Sequence, residues 1–189
     1  MLDRRECVAK LLVDRGDLLV VSGLGAPTYD VAAAGDSALN FYLWGAMGSA
    51  AMIGLGLALA RPKARVAVIT GDGEMLMGAG SLATIGVKQP RNLSLVVLDN
   101  RHYGETGMQA SHTKFGIDLV GIAQACRFAE AHAVTKVSEL DGARGLLHSG
   151  EGPVFINARV AADNLPRVLP SRDGHEIKFR FVQALAKMS

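Results

Sequence analysis

Two polar residues follow two short apolar runs in the middle of the chain. Asp72 comes shortly after Val66–Thr70, and Asp99 and Asn100 come directly after Leu93–Leu98. Runs of this kind predict buried parallel strands, whose carboxyl ends lie at one edge of a sheet. Ligands of open α/β sheets bind at that edge, near a switch point in the strand order. We therefore expect Asp72 and Asn100 to meet there, although they are far apart along the chain.

These two side chains have the chemistry of a site for a hard cation. Carboxylate and amide oxygens suit Mg²⁺ or Ca²⁺ rather than zinc, and Mg²⁺ is usually shared with the phosphates of a ligand. Gly71 and Gly73 flank Asp72 and let the backbone approach a bulky anion. A helix beginning near Glu74 would direct its free N–H groups at the same phosphates. The residues thus predict a Mg²⁺–diphosphate site, although Gly-Asp-Gly is also ordinary turn chemistry.

The order of the motifs resembles that of thiamine diphosphate enzymes. The GDG of Gly71–Gly73 is followed by LATIG at Leu82–Gly86, an apolar strand, and DNRHYGETGMQ at Asp99–Gln109. The resemblance covers most of the chain and is to the diphosphate-binding, C-terminal-type domain of thiamine-dependent 2-oxo acid decarboxylases. Among these, the phosphonopyruvate and sulfopyruvate decarboxylases are the most similar in their motifs.

The resemblance implies a set of cofactor-binding residues. Asp72 and Asn100 would be side-chain ligands of Mg²⁺, and His102 would add its backbone carbonyl. Glu74 departs from the family, in which a small residue is common, because its carboxylate would repel a phosphate unless it points away. The complete set of implied cofactor contacts is Gly25, Gly45, Met47, Asp72, Gly73, Glu74, Asn100, His102, Tyr103 and Gly104.

The string WGAMG at Trp44–Gly48 carries the part of the resemblance that concerns the cofactor rings. By that resemblance the Gly45 carbonyl accepts the 4′-amino group, and the Met47 side chain separates the two rings while its N–H meets the pyrimidine. The bent cofactor would then remove its own C2 proton intramolecularly. From the residues alone, Met47 is more simply explained as a side chain that fills the core.

The resemblance also implies a partner subunit. In the family, the glutamate that activates the pyrimidine belongs to a separate pyrimidine-binding domain, and this chain is too short to contain both domains. We therefore expect a hetero-oligomer that is a carboxy-lyase for a small 2-oxo acid, with no catalytic side chain on this chain. Two alternatives stay open: half of another thiamine enzyme, such as one like acetolactate synthase, and a non-catalytic diphosphate-binding regulatory module. An oxidoreductase-like half is disfavoured, since such chains usually carry iron–sulfur cysteines and only Cys7 and Cys126 are present here.

The alternation of apolar runs and helical periods predicts the elements that position these residues. The fold class is α/β, a doubly wound and mostly parallel sheet with helices on both faces. The predicted strands are Leu18–Val21, Val66–Thr70, Leu93–Leu98, Arg127–Ala131 and Val154–Val160. The predicted helices are Arg4–Gly16, a long helix from Gly45 to Ala60, Leu76–Lys88, Ile117–Cys126, Ser138–Ser149 and His175–Lys187. Residues Arg101–Phe115 are expected to form an active-site loop leading to a short helix, in which His112 and Lys114 are candidate substrate contacts.

Composition narrows the class of protein. The 189 residues fit one domain, 1–189, with a C-terminal extension at 162–189, and a hydrophobic fraction of 49% suggests an additional buried face. The net charge of +2 and the absence of long Lys/Arg clusters give no support for nucleic-acid binding. Ala38–Ala60 is uncharged and long enough to span a bilayer, but its glycines and its position between βα units favour a buried interface helix. The two distant cysteines indicate free thiols in a reducing cytoplasm.

Overall fold

The computed structural model describes residues 1–188, and a parallel six-stranded sheet forms its centre. Ser189, the last residue of the predicted extension, lies outside the described residues. The sheet strands are β1 (Leu19–Ser22), β2 (Asn40–Tyr42), β3 (Val66–Gly71), β4 (Leu93–Asp99), β7 (Glu130–Val134) and β8 (Val154–Arg159). Their spatial order is β2-β1-β3-β4-β8-β7, and a short antiparallel pair, β5 (His102–Tyr103) and β6 (Gln109–Ala110), follows β4.

Helices cover both faces of this sheet. They are α1 (Arg4–Leu12), α2 (Ala26–Ala33), α3 (Ala50–Ala60), α4 (Asp72–Met77), α5 (Gly80–Lys88), α6 (Leu119–Ala125), α7 (Leu140–Ser149) and α8 (Gly174–Lys187). Apolar side chains of α1, α2 and α7 pack on one face, and those of α3, α5 and α6 pack on the other. The central strands are buried throughout, because both of their faces are covered. The predicted α/β, doubly wound class is confirmed.

The strand order reverses at β1. The chain passes from β1 to β2 on one side and then returns across the sheet to β3, which pairs with the opposite edge of β1. The gap outside the carboxyl ends of β1 and β3 is therefore the switch point at which open α/β sheets bind ligands. Asp72 stands directly after β3, so the fold brings the GDG motif to that gap.

The helix predicted to begin near Glu74 is present as α4, but the single helix predicted at Leu76–Lys88 is wrong. The structure has two helices there, α4 beginning at Asp72 and α5 ending at Lys88, with a break at Gly78. A close backbone contact requires glycine at this break, since a Cβ at Gly78 would lie 2.1 Å from the Gly48 carbonyl oxygen. The loop before α3 thus requires the α4–α5 turn at this place.

Other boundaries also differ from the predictions. The strand predicted at Arg127–Ala131 lies three residues later, because Arg127 has a φ of +66° and closes α6 instead. The helix predicted from Gly45 begins only at Ala50, since Ala46 and Gly48 have φ values of +55° and +93°. The opening helix ends at Leu12, well before the predicted Gly16. The elements β2 and α2 were not predicted.

After β8 the chain crosses the carboxyl edge of the sheet before it reaches α8. The indole N–H of Trp44 donates to the Ser171 carbonyl at 2.7 Å, and Arg5 donates to the Pro166 carbonyl at 2.7 Å. Phe181 of α8 meets Phe41 edge-on, with ring centroids 5.4 Å apart. Across residues 1–188, no helix combines the length and the apolar character needed to cross a membrane.

Candidate functional site

Neighbouring strands bring Asp72 and Asn100 to one edge of the sheet, as predicted. Strands β3 and β4 pair in parallel with Gly71 opposite Leu98, and each polar residue follows shortly after its strand. Both residues line one cavity of about 120 Å³ outside the switch point. The register of two buried apolar strands is thus what determines the spacing of the pair.

Asp72 is a buried carboxylate that hydroxyl groups hold in place. The side chain is 2% exposed, its Oδ2 accepts a hydrogen bond from Ser111, and the Thr113 hydroxyl lies 3.0 Å away. Burial raises the pKa of Asp72, and the hydrogen bond from Ser111 opposes that effect. Within residues 1–188, no Lys, Arg or His forms an ion pair with Asp72. A buried carboxylate without a cationic partner is the arrangement that a bound metal ion would complete.

A second buried carboxylate lies beside the first. Asp99 is 1% exposed and accepts hydrogen bonds from Thr113 at 2.8 Å and from Asn157 at 3.1 Å. In contrast to Asp72, it has a cationic partner, Arg159, at 3.2 Å. Asp99 is therefore already neutralised within the chain, and Thr113 links it to Asp72.

The turn after β4 orients the other two predicted metal ligands. The backbone N–H of His102 donates to the Asn100 side-chain oxygen at 2.9 Å, and the His102 ring nitrogen Nδ1 lies 2.8 Å from the Asn100 carbonyl. The β5–β6 pair supports this turn, because the backbone N–H of Ser111, which follows β6, donates to the Arg101 carbonyl at 2.9 Å. An amide oxygen accepts two bonds, so Asn100 retains capacity for a cation.

Gly73 gives space to an aromatic ring. A Cβ at Gly73 would lie 2.4 Å from the Tyr103 ring, so only glycine allows Tyr103 to lie over the start of α4. The Tyr103 hydroxyl lies 3.2 Å from Nδ1 of His112, and Nζ of Lys114 lies 3.2 Å from Nε2 of His102. The two predicted substrate contacts, His112 and Lys114, are thus exposed neighbours of the metal-ligand turn but do not line the cavity.

The Glu74 side chain points into the protein, although Glu74 also borders the cavity. The carboxylate is 5% exposed and accepts hydrogen bonds from the Thr70 hydroxyl at 2.9 Å and from the Gly48 N–H at 3.4 Å. Burial raises its pKa, and these hydrogen bonds partly oppose the effect. The contacts connect β3 to the loop that contains Gly45 and Met47. Glu74 is therefore a link between two parts of the site, and only its backbone N–H stays a candidate for phosphate contact.

Arg4 is a residue of the cavity wall that the sequence analysis missed. Its guanidinium pairs with Asp30, which is fully buried and also accepts from Arg5 at 3.3 Å. Burial raises the pKa of Asp30, and Arg4 is the largest opposing influence. Arg4 is 8% exposed and lines the same cavity as Asp72 and Asn100. It places a fixed positive charge where an anionic ligand would lie.

The cavity brings together most of the predicted residues. The predicted residues on its wall are Met47, Asp72, Gly73, Glu74, Asn100, His102, Tyr103 and Gly104, and Met47 is 38% exposed. Gly25 precedes α2 with a φ of +73° between two lining residues, but it is not itself part of the wall. Gly45 lies outside the wall, and a Cβ there would meet no atom within 4 Å. The cavity is smaller than the roughly 300–1,000 Å³ that encloses a typical ligand.

The described part of the chain has no group of three or more His, Cys, Asp or Glu side chains arranged to hold a metal ion. The predicted centre does not require one, because it uses one carboxylate, one amide and one backbone carbonyl. Mg²⁺ sites commonly have few protein ligands, since water and phosphate oxygens supply the others. Asp72 and Asn100 fit such a site.

Comparison with known proteins agrees with the fold and the motifs. The family described as thiamine pyrophosphate enzyme, C-terminal TPP binding domain, matches residues 23–158. The chain is 36% identical over 183 residues to sulfopyruvate decarboxylase subunit beta of Methanothermobacter thermautotrophicus, covering 97% of this chain and 95% of that protein. It is 38% identical over 160 residues to phosphonopyruvate decarboxylase of Streptomyces viridochromogenes, covering 82% of this chain but 40% of that protein.

A solved structure of similar fold is benzoylformate decarboxylase from Polynucleobacter necessarius. The TM-score is 0.66 at 18% identity, covering 84% of this chain and 33% of that one. This likeness concerns the fold of the α/β domain.

Proposed function

The chain belongs to the thiamine pyrophosphate enzyme family through its C-terminal-type TPP-binding domain, and from this premise we propose that it is the diphosphate-binding subunit of a decarboxylase. The substrate that we propose is a 2-oxo acid such as sulfopyruvate or phosphonopyruvate. Two of the similar relatives are decarboxylases with these two substrates in their names. The reaction class would be that of a carboxy-lyase.

One observation supports the cofactor role above the others: Asp72 is buried, has no cationic partner within residues 1–188, and shares a cavity with Asn100 at the switch point. Asp72, Asn100 and the His102 carbonyl would hold Mg²⁺. The backbone N–H groups of Gly73 and Glu74 would bind the diphosphate at the start of α4. When bound, thiamine diphosphate supplies the thiazolium carbon that stabilises the carbanion formed as CO₂ leaves.

The residues of this chain have separate tasks in that proposal. Ser111 and Thr113 orient Asp72, and Arg4 offsets the negative charge that remains after the metal ion binds. The Gly45 carbonyl would accept a hydrogen bond from the pyrimidine amino group, while Met47 would separate the rings. Tyr103 and Gly104 would complete the wall, and Gly25 would let the loop after β1 approach the phosphates.

A partner subunit forms the second part of the proposal. The cavity of about 120 Å³ is well below the roughly 300–1,000 Å³ that encloses a typical ligand, so we infer that it takes only part of the cofactor. The relative from Methanothermobacter is named a beta subunit, which implies an alpha subunit there. We propose that a separate chain with a pyrimidine-binding domain supplies the activating glutamate, so that activity requires the hetero-oligomer.

We propose the cytoplasm as the compartment, and the state of the cysteines supports it. Cys7 and Cys126 are both free thiols. Burial, with a smaller effect of Asp30, raises the pKa of Cys7 to about 12, which makes it an unreactive core residue.

The test is a decarboxylation assay on the complex of this chain with a pyrimidine-domain protein that co-purifies with it. CO₂ release from sulfopyruvate and phosphonopyruvate is measured with thiamine diphosphate and Mg²⁺, for the wild type and for Asp72→Asn. Asp141→Asn is the matched control, because Asp141 is 75% exposed and is not among the residues that line the cavity. We expect turnover that Asp72→Asn abolishes and Asp141→Asn retains. Full activity of this chain as a homo-oligomer would refute the shared site, and cofactor binding without turnover of either acid would favour a regulatory module.

A further inference from the structure

A second and larger cavity lies at the opposite end of the sheet from Asp72. Its volume is about 850 Å³, within the roughly 300–1,000 Å³ range of small-molecule sites. Leu18 and Arg65, which directly precede β1 and β3, form part of its wall. The length of β3, at roughly 3.3 Å per residue, separates it from the GDG motif by about 20 Å. The two cavities are therefore independent sites on the same strands.

Positive charge dominates the wall of this cavity. Its five cationic side chains are Arg15, Arg61, Lys63, Arg65 and Lys187, and Asp17 is the single acidic one among the described residues. Within residues 1–188, none of the five forms an ion pair. Like charges around one space repel each other, and an anion placed between them would relieve that repulsion.

The structure holds two of these cations in fixed positions. Both terminal nitrogens of Arg65 donate to the Gly150 carbonyl at 2.8 Å. Arg15 donates to the Leu18 carbonyl at 2.8 Å and to the Asn40 side chain, while its Nε is buried without a partner among the described residues. Burial lowers the pKa of Arg15, so its charge is held there at an energetic cost. Preorganised guanidinium groups are typical of sites that bind carboxylate or phosphate.

Helix dipoles explain only part of this charge. Arg61 follows the last residue of α3, and Lys187 is the last residue of α8, so both oppose the partial negative charge at a helix C-terminus. Arg15, Lys63 and Arg65 lie in the loops before β1 and β3 and have no such role. Apart from Asp17 and His148, the remaining wall residues are apolar, and they include Leu18, Pro62, Ala64, Leu185 and Met188.

We propose that this cavity is a binding site for a small anion that combines several negative charges with an apolar part, as a nucleotide or similar phosphorylated metabolite does. The cations would bind the phosphates, and the apolar wall would contact the remainder. The volume, the fixed guanidinium groups and the mixed lining together favour a compact amphipathic ligand over inorganic phosphate alone.

The test is calorimetric titration of the full chain with ATP and with pyrophosphate, in low salt and EDTA. Without Mg²⁺, the metal-dependent cavity at Asp72 does not contribute. We expect ATP to bind more tightly than pyrophosphate, and the affinity to fall as salt is added. The double variant R61Q/K63Q, at two exposed positions, should raise the Kd for ATP by roughly tenfold or more. D17N should lower the Kd by about two- to fivefold, because it removes the repelling charge.

Matched controls make the outcome decisive. The variant K136Q/K178Q removes two exposed lysines outside the cavity, and D72N alters the other site; both should bind ATP as the wild type does. Equal Kd values for R61Q/K63Q and K136Q/K178Q would overturn the proposal, as would loss of binding in D72N. Binding of poly-glutamate with no binding of ATP or pyrophosphate would also overturn it, because the cavity would then serve an acidic protein surface.

Discussion

The Glu74 carboxylate occupies the space that a side chain at position 23 would need. A Cβ built on Gly23 would lie 2.0 Å from Oε2 of Glu74 and 2.7 Å from the Thr70 hydroxyl. The loop after β1, the end of β3 and the start of α4 therefore meet around one buried acidic group. Two residues far apart in the chain, Gly23 and Glu74, constrain each other.

This relationship predicts coupling between the two positions. Gly23→Ala should destabilise the protein by about 1–3 kcal/mol, because the Glu74 side chain must move away from its hydrogen-bond partners. In a Glu74→Ala background, the destabilisation by Gly23→Ala should be smaller by at least about 1 kcal/mol. Urea unfolding of the two single variants and the double variant measures the coupling free energy. Strictly additive effects would show that Glu74 does not fill this space.

Glu74 also predicts an effect on the cofactor rings. Glu74→Gln keeps an acceptor for Gly48 but loses the charge, and Glu74→Ala loses both. We expect the affinity of the complex for thiamine diphosphate to decrease from the wild type to Glu74→Gln and further to Glu74→Ala. The total loss should be roughly tenfold to hundredfold, as for other residues that orient the groups in contact with a ligand. The same variants should weaken the binding of pyrophosphate with Mg²⁺ much less than the binding of the whole cofactor. Equal losses for both ligands would place the Glu74 carboxylate in the diphosphate site instead.

The hydroxyl pair that holds Asp72 leads to a prediction about metal affinity. Ser111→Ala removes the hydrogen bond to Oδ2 of Asp72, and Thr113→Val removes the hydroxyl that lies 3.0 Å from the same oxygen and links it to Asp99. Each change should raise the Mg²⁺ concentration needed for half-maximal cofactor binding by about tenfold. Ser149→Ala is the control, since the Ser149 hydroxyl donates to the Gly145 carbonyl at an exposed position near the end of α7. An unchanged Mg²⁺ requirement in both variants would contradict the proposal that Asp72 is a metal ligand.

The paired arginines at the start of α1 allow a matched comparison. Both contact Asp30, but only Arg4 lines the cavity, whereas Arg5 donates to the Pro166 carbonyl. Arg4→Gln should weaken thiamine diphosphate binding by about tenfold and leave the binding of unphosphorylated thiamine unchanged. Arg5→Gln should reduce stability without this difference between the two ligands. Similar behaviour of both variants would make Arg4 a purely structural partner of Asp30.

Met47 should affect turnover without affecting stability. The side chain is 38% exposed, so Met47→Ala should change the unfolding free energy by less than about 1 kcal/mol. If Met47 separates the cofactor rings, kcat of the complex should still fall by roughly tenfold or more. Met52→Ala, at a residue of α3 that is 42% exposed, is the control for loss of an apolar surface group. A normal kcat in Met47→Ala would contradict the ring-separating role and favour Met47 as a side chain that only fills space.

The placement of Asp72 and Asn100 was predictable from the sequence, because each residue follows a buried strand. Continuous apolar runs identify β3 and β4, and parallel pairing places the residues that follow them together, so Asp72 and Asn100 meet as expected. The fold class follows from the same alternation. The local sequence pattern was sufficient to predict the position of a residue wherever a single strand or helix determines that position.

Residues fixed by distant contacts were not predictable in this way. The direction of the Glu74 side chain depends on the hydrogen-bond donors that Gly48 and Thr70 place around it, and no local pattern encodes them. Arg4 enters the cavity wall because its helix packs beside α2, and its pairing with Asp30 has no signature in the sequence. The shift of β7 follows from the left-handed conformation of Arg127, a residue type that rarely adopts it.

Calorimetric titration of thiamine diphosphate into the complex, with and without Mg²⁺, tests the central claim most directly. The wild type and Asp141→Asn should bind the cofactor only when Mg²⁺ is present. Asp72→Asn should weaken this binding by a hundredfold or more, roughly the loss expected when a buried charged ligand of a metal ion is removed. Binding that is equally tight without Mg²⁺, or unchanged in Asp72→Asn, would contradict the assignment of Asp72 and Asn100 to a metal–diphosphate centre.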